Sequence, residues 1–377
     1  MQKKKKIVFM TYSLSMGGTE RVMINLIHHI KDKYDIDVLS LTQKDDVSYL
    51  LPEGVNVIKL LPFQTVSPVT MFFVWLLGSM PRLARWVINR KLGDDYDIEV
   101  AFSDWGGAPN FMAARKTKAL RLAWIHFDAD VFDFRATGFI NFSKVMREFD
   151  KIYCVSTKVK NSIDGQFPSL SGITDVLYNL QQVERISEQK KEEFSFEPEG
   201  INIVACGRMF RQKAFERLIW AHSKILDDGI PHHLHIVGSG VEEMPLKLLA
   251  KTLNVENTVT FWGMQQNPYK FMRAADLFVL SSKYEGLPTV CIESLICGTP
   301  VVSTNVAGIE EIIDQDVNGW IVDNNRTDFY VGLKKVLEDP ERIKRYKQNA
   351  AKYDWDNQAI LDKFNSYIDS RVSVDGE

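Results

Sequence analysis

Cysteine is scarce in this chain of 377 residues. Cys154, Cys206, Cys291 and Cys297 are scattered without any C-x-x-C spacing. That argues against a disulfide framework and for a reducing, cytoplasmic setting. Three of the four sit in or beside strand-like apolar runs, where a small buried thiol is the ordinary reading. A charge excess of either sign is missing as well. With 46 basic and 49 acidic residues the net charge is −3, so nothing draws the whole chain to a polyanion, and nucleic acid is not expected as a partner. Long hydrophobic runs are absent. The longest, Val69 to Met80, is interrupted by Gly78 and closed by Pro81, short of the roughly 20 residues that span a bilayer. The run Ile7–Met10 behind Lys3 to Lys6 is too short for the apolar region of a signal sequence and reads as a first buried strand. No internal repeat or low-complexity tract is evident, and no G-x-G-x-x-G follows the first strand, which counts against a dinucleotide site.

What is present is an alternation of short β-branched runs with helical patterns. Strands are expected at Ile7–Met10, Ile36–Leu41, Val55–Leu60, Ile98–Phe102, Leu122–Ile125, Ile152–Val155 and Val176–Tyr178. A second series follows at Ile201–Cys206, Leu234–Val237, Val259–Trp262, Leu277–Leu280, Pro300–Ser303 and Trp320–Val322. Runs apolar on both faces and separated by helix lengths imply parallel sheets covered by helices on each side. The length fits two domains. The spacing predicts one over 1–180, a polar linker over 181–198 that contains Pro198, and a second domain over 199–353. A last helix over 354–370 packs back on the first domain. The fold class is α/β, two doubly wound domains facing across a cleft, with ligands expected beyond the carboxyl ends of the strands.

Four loops could carry chemistry. Ser15-Met16-Gly17-Gly18-Thr19-Glu20-Arg21 joins the first strand to a helix; its glycines let a backbone approach a phosphate, or it is a tight turn capped by Thr19. Gly207-Arg208, with Lys213 five residues on, puts two cations beyond a strand's end, suited to a diphosphate or to a solvated basic turn. Val237-Gly238-Ser239-Gly240 could admit a nucleobase or phosphate, or simply turn the chain. The strongest signal is Glu285-Gly286-Leu287-Pro288-Thr289-Val290-Cys291-Ile292-Glu293. Its two carboxylates flank a helix N-terminus and cannot both be caps. Sugar and ribose hydroxyls are their natural partners.

The spacing Glu285…Glu293 resembles the E-x7-E motif of retaining glycosyltransferases of the GT-B fold, in particular the large family 4, also called glycosyl transferases group 1. The resemblance runs along almost the whole chain: Gly17-Gly18 with Glu20-Arg21, a lone His126 after a strand, Tyr178-Asn179, Gly207-Arg208…Lys213, Gly238-Ser239-Gly240, Glu285-Gly286-Leu287-Pro288 and Gly308…Glu311. It implies two Rossmann-like domains and a nucleotide-sugar co-substrate, UDP being the commonest carrier, with no further cofactor and no metal. Arg208 and Lys213 would then hold the donor diphosphate. Glu293 would bind the ribose and Glu285 the transferred sugar, a hexose or N-acetylhexosamine. Backbone N–H groups of Gly286, Leu287 and Thr289 around Pro288 would meet sugar or phosphate. Gly17 and Gly18 would close over the donor, with Gly207, Gly238 and Gly240 giving backbone access, and His126 would contact the sugar. The resemblance also implies retention by same-face attack, with the leaving diphosphate taking the acceptor proton, so that electrostatic stabilisation is the main catalytic device. Two positions depart from the family pattern: Pro288 stands where a further glycine is frequent, and Ala214 where a glycine follows the lysine.

Decoys are present. Asp128-Ala129-Asp130 matches a metal-binding D-x-D, but so do Asp35-Ile36-Asp37 and Asp354-Trp355-Asp356. His232-His233-Leu234-His235 enters a strand without a carboxylate or cysteine at ligand spacing and reads as structural. In the segment 69–91, Phe72, Phe73, Trp75, Leu76, Leu77 and Trp86 stand beside Arg82, Arg85, Arg90 and Lys91. That suits peripheral contact with the inner face of the membrane, a buried helix with a solvated end, or a subunit interface. With membrane contact, a lipid-linked or cell-envelope glycan acceptor follows. The competing readings are an inactive transferase-like accessory subunit, a nucleotide-sugar epimerase of the same fold and, more distantly, a phosphorylase or a nicotinamide enzyme.

Overall fold

The computed structural model describes residues 4–104, 107–131, 142–197 and 200–372. The chain divides into two compact units, Met1–Leu180 with Asp356–Glu377, and Gln181–Trp355.

Unit 1 holds β1 (Lys5–Thr11), β2 (Tyr34–Ser40), β3 (Asn56–Lys59), β4 (Ile98–Ala101), β5 (Leu120–Ile125), β6 (Lys151–Cys154) and β7 (Thr174–Val176) in one sheet of order β3-β2-β1-β4-β5-β6-β7. Every pairing is parallel, with Ile7 opposite both Ile36 and Ile98. Ile7, Val8, Phe9 and Met10 are all fully buried, so β1 is covered on both faces, the signature of a sheet with helices on each side. Helix Gly18–Ile30 covers part of one face by burying Val22, Met23, Leu26, Ile27 and Ile30. The last helix, Asn357–Asp369, belongs to this unit. It buries Ile360, Phe364 and Ile368, packs Phe364 at a tilt against Trp124 and Tyr153, and pairs Asp369 with Lys5 and Lys33.

Unit 2 repeats the plan with β8 (Asn202–Cys206), β9 (His233–Val237), β10 (Val259–Gly263), β11 (Leu277–Leu280), β12 (Val301–Thr304) and β13 (Gly319–Val322), in the order β10-β9-β8-β11-β12-β13 and again parallel throughout. In each sheet the order reverses once, between β1 and β4 and between β8 and β11. The connections leave to opposite sides there and open a crevice at the strands' carboxyl ends.

The stretch expected to be a linker is different. Its described part folds onto unit 2: helix Val183–Gln189 buries Ile186, Lys190 Nζ donates to the Ile296 carbonyl at 2.7 Å, and Phe196 stacks on His235 at 3.9 Å. Its few apolar side chains are enough to dock an otherwise charged segment. Pro198 lies outside the described residues. Three clustered histidines are structural: His222 on helix Phe215–Asp227, His232 just before β9 and His235 within it. His232 hydrogen-bonds His222 at 2.8 Å and His235 the Asn202 amide at 2.8 Å. Burial pushes His222 down to about 2 and His232 and His235 to about 4, so all three stay neutral as spacers in the core.

Candidate functional site

In unit 2 the loops leaving β8 and β11 meet at the point where the strand order reverses. After β8 the chain passes Gly207 and Arg208, makes a short 3-10 turn at Arg211–Lys213, and enters helix Phe215–Asp227. After β11 it passes Ser281 to Pro288 and enters helix Thr289–Ile296. The two loops are laced together. Ser281 Oγ donates to the Lys213 carbonyl at 2.7 Å, the Lys283 N–H to the Gln212 carbonyl at 2.8 Å, and Gln212 Nε2 to the Tyr284 carbonyl at 2.9 Å. Lys213 Nζ is thereby brought to 2.7 Å from Glu285 Oε1. The Lys213 stem lies over Gly207, where a Cβ would sit 3.5 Å from its Cε. Arg208 is exposed and stacks its guanidinium over Phe210 at 5.0 Å. Ala214, which stands where the family pattern has glycine, takes φ +50°. The left-handed turn is kept, at the steric cost an L-residue carries there.

Glu293 lies one turn into helix Thr289–Ile296. Its carboxylate is close enough to add to burial in pushing the thiols of Cys206 and Cys297 up to about 12. Because Cys206 ends β8, Glu293 sits beside the same strand end as Lys213. The N-cap of this helix is Pro288, and no side chain caps it. Its first N–H groups are therefore left to a ligand or to water. Gly286 and Leu287 just before it are pressed by the loop after β12: at Gly308 (φ +76°) a Cβ would stand 2.7 Å from Leu287 Cδ1 and 2.9 Å from the Gly286 carbonyl.

Gly238 and Gly240 have a reason of their own in this unit. A Cβ on Gly238 (φ +136°) would stand 2.0 Å from the Gly207 carbonyl oxygen, and one on Gly240 2.4 Å from that of Met209. The loops after β8 and β9 run backbone against backbone, joined by Gly207 N–H to the Val237 carbonyl and Met209 N–H to the Ser239 carbonyl, both at 2.9 Å.

In unit 1 the corresponding rim carries Gly17, Gly18, Asp104 and His126. Gly17, rather than Thr19, is the N-cap of helix Gly18–Ile30, and no side chain caps it. The Glu20 carboxylate fills the place a Gly17 side chain would take, while Gly18 faces open space. His126, just past β5, donates its backbone N–H to Asp104 Oδ2 at 2.6 Å, and its Nε2 lies 3.0 Å from the Phe102 carbonyl. A carbonyl only accepts, so Nε2 carries the proton and Nδ1 is an acceptor. Burial pushes His126 down to about 4, against the pull of that carbonyl. Burial pushes Asp104 up to about 7, opposed by the His126 N–H and helped by Glu20. Asp104 Oδ1 has no hydrogen-bond partner among the described residues. Sequence reasoning missed Asp104. A lone aspartate after a strand carries no pattern, and only its burial marks it.

The structure thus brings Gly207, Arg208, Lys213, Gly238, Gly240, Glu285, Gly286, Leu287, Pro288, Thr289 and Glu293 to one end of the unit 2 sheet, and Gly17, Gly18 and His126 to one end of the unit 1 sheet. The D-x-D decoy is otherwise engaged: Asp130 pairs with Lys158 at 3.0 Å and donates its N–H to Asp128.

A family model described as glycosyl transferases group 1 matches residues 186–353. The N-acetylgalactosamine-N,N'-diacetylbacillosaminyl-diphospho-undecaprenol 4-alpha-N-acetylgalactosaminyltransferase of Campylobacter jejuni is 27% identical over 357 residues, covering 92% of this chain and 94% of that protein. Among solved structures, Anabaena HepE in complex with UDP and glucose superposes with a TM-score of 0.70 at 19% identity, covering 98% of this chain and 96% of that one. WaaG, a glycosyltransferase involved in lipopolysaccharide biosynthesis, does so with a TM-score of 0.69 at 17% identity, covering 97% and 100%.

Proposed function

The chain belongs to the group 1 glycosyltransferases and has their GT-B fold of two Rossmann-like units, and from that premise we propose that it is a retaining, metal-independent transferase that moves a hexose or N-acetylhexosamine from a UDP-sugar to a lipid-linked or cell-envelope glycan. The observation that carries the donor half is the meeting of Lys213 and Glu285 at the reversal point of the unit 2 sheet. A cation for a diphosphate and a carboxylate for hydroxyls stand side by side there, with Arg208 on the same loop and Glu293 beside the end of β8. The assignments follow. Arg208 and Lys213 bind the diphosphate and take up the charge it gains as the glycosidic bond breaks. The uncapped N–H groups at Thr289 and Val290 add to them. Glu293 accepts from the ribose and Glu285 from the sugar. In unit 1, neutral His126 offers Nδ1 as an acceptor to a sugar hydroxyl, and Asp104 holds its backbone in place. The leaving diphosphate takes the acceptor's proton, so no side-chain base is required.

This reading is tested by thermal unfolding with a panel of nucleotide sugars in the presence of a chelator. One UDP-hexose or UDP-N-acetylhexosamine at a hundred times its Kd stabilises the protein by about 2.7 kcal/mol, and Glu293→Ala abolishes the effect. Stabilisation only with a divalent ion overturns metal independence, and no response to any sugar nucleotide overturns the donor assignment. A transferred sugar of inverted configuration by NMR overturns retention.

The acceptor half rests on segment 69–91 and on the C. jejuni relative, whose substrate by its name is carried on undecaprenol diphosphate. Helices Pro68–Gly78 and Pro81–Asn89 meet at 101°, and no single helix among the described residues is long and apolar enough to cross a membrane. Only Val74 and Gly78 of the first helix are buried, whereas Phe72 is 55% and Trp86 57% exposed. Between Glu53 and Asp94 no carboxylate interrupts Lys59, Arg82, Arg85, Arg90 and Lys91. Lys59 is paired with Asp45 at 2.7 Å, but exposed aromatics beside Arg82, Arg90 and Lys91 match an anionic bilayer surface. The full chain is expected to float with phosphatidylglycerol-containing vesicles and not with phosphatidylcholine alone. Arg90→Glu with Lys91→Glu should weaken binding at least about tenfold, at about 1 kcal/mol per cation. Equal behaviour on both vesicle types overturns the membrane assignment.

A further inference from the structure

In unit 2 the side chains assigned to the two halves of the donor hold each other. Lys213 Nζ and Glu285 Oε1 are 2.7 Å apart, with side chains only 21% and 11% exposed. Both are fixed from behind. The Lys213 carbonyl accepts from Ser281 Oγ and its stem lies on Gly207. The other Glu285 oxygen has Gln212 Nε2 at 3.5 Å, and that amide is itself held by the Tyr284 carbonyl. A carboxylate so placed cannot lose its cation without gaining another donor, because a mostly buried charge left alone is strongly disfavoured. An intact sugar nucleotide supplies both replacements: its diphosphate accepts from the ammonium, and its sugar hydroxyls donate to the carboxylate. A free nucleoside diphosphate supplies only the first. Its terminal phosphate also carries an additional negative charge at the position the sugar has left, facing Glu285, and like charges in a half-buried site repel.

We infer that the Lys213–Glu285 ion pair is a selectivity latch, which opens for the intact sugar nucleotide and closes against the nucleoside diphosphate left after transfer. The inference rests on the sugar-nucleotide reading of unit 2 and adds to it a means of product release. While sugar is bound, Glu285 is occupied by hydroxyls and Lys213 is free for the diphosphate. Once the sugar departs, Glu285 competes for Lys213 again and repels the terminal phosphate, so the spent nucleotide is expelled.

The test is calorimetric titration of the full chain, at fixed ionic strength with chelator, with UDP, GDP and ADP and with their hexose and N-acetylhexosamine conjugates. Wild type is compared with Glu285→Gln, which keeps the shape but removes the charge. For the nucleotide that binds, Glu285→Gln tightens the free diphosphate by about tenfold and does not tighten the sugar conjugate, so the preference for the conjugate falls by at least about tenfold. Glu285→Ala shifts the preference in the same direction and stands in if the glutamine variant does not fold. Free-diphosphate binding that Glu285→Gln leaves unchanged or weakens overturns the latch, whatever happens to the conjugate, and leaves the donor reading of unit 2 standing on wild-type binding of the conjugate. Binding of none of these ligands to wild type removes the donor reading, and the latch with it.

Discussion

Alanine at Arg208 or at Lys213 lowers kcat for sugar transfer by about 10²–10³-fold, equivalent to about 3–4 kcal/mol of transition-state stabilisation. The reason is where charge appears. As the glycosidic bond breaks, the diphosphate gains negative charge that the ground state does not carry, so a cation beside it binds the transition state more tightly than the substrate. The loss therefore falls on kcat more than on KM. Stability is not the cause. Arg208 is exposed and stacks over Phe210, and urea unfolding of the variant measures any structural cost apart from the kinetic one. Removing Lys213 leaves Glu285 without its ion-pair partner at a cost of about 1–3 kcal/mol, which calorimetry separates from the kinetic effect. Steady-state kinetics on both variants decide the matter. A raised KM with unchanged kcat would show that the two cations only hold the donor, and the charge-stabilising role assigned to them would fall.

Much of this arrangement can be read from the chain, and the reason is the parallel sheet. Strands buried on both faces are continuous apolar runs, so each of the thirteen strands described coincides with one of the runs at Ile7–Met10 through Trp320–Val322, with ends shifted by a few residues. In such sheets ligand loops lie at strand carboxyl ends, so Gly207-Arg208 and Glu285 are found by following β8 and β11 outward. What cannot be read is anything that depends on contact between distant segments. Asp104 becomes notable only because folding buries it against His126, and the pairing of Lys213 with Glu285 spans 72 residues of sequence. The segment after Leu180 looks like a connector because charged residues outnumber apolar ones, yet Ile186 and Phe196 suffice to dock it. Thr19 has the chemistry of a cap, but the helix begins earlier, at Gly18, and a capping threonine cannot act from inside the first turn.

The glycines after β9 show the same limit, and they carry the largest expected structural effect. A strand, a glycine-serine-glycine turn and a helix suggest backbone opened to a ligand, but at Gly238 and Gly240 the space beside the α-carbon is already taken by the protein. An alanine methyl at 238 would lie 2.0 Å from the Gly207 carbonyl oxygen and 2.9 Å from its carbon. One at 240 would lie 2.4–2.8 Å from three backbone atoms of Met209. These neighbours are main chain, held by the hydrogen bonds from Gly207 to Val237 and from Met209 to Ser239, so they cannot swing aside as a side chain tip can. Gly238 also sits at φ +136°, where an L-residue is strained whatever the space. Gly238→Ala is therefore expected to cost more than about 3 kcal/mol and Gly240→Ala a comparable amount, with displacement of Arg208 and loss of nucleotide binding as the consequence. Gly18→Ala is the control: its methyl enters open space at a helix start, so stability changes by less than about 1 kcal/mol. Urea unfolding of the three variants separates the two roles. If Gly238→Ala unfolds with the wild-type midpoint and slope, the backbone approach is not what holds the loops after β8 and β9 together. If it unfolds early while Gly18→Ala does not, glycine is required after β9 to let two strand ends touch, and only through that contact does it serve the donor.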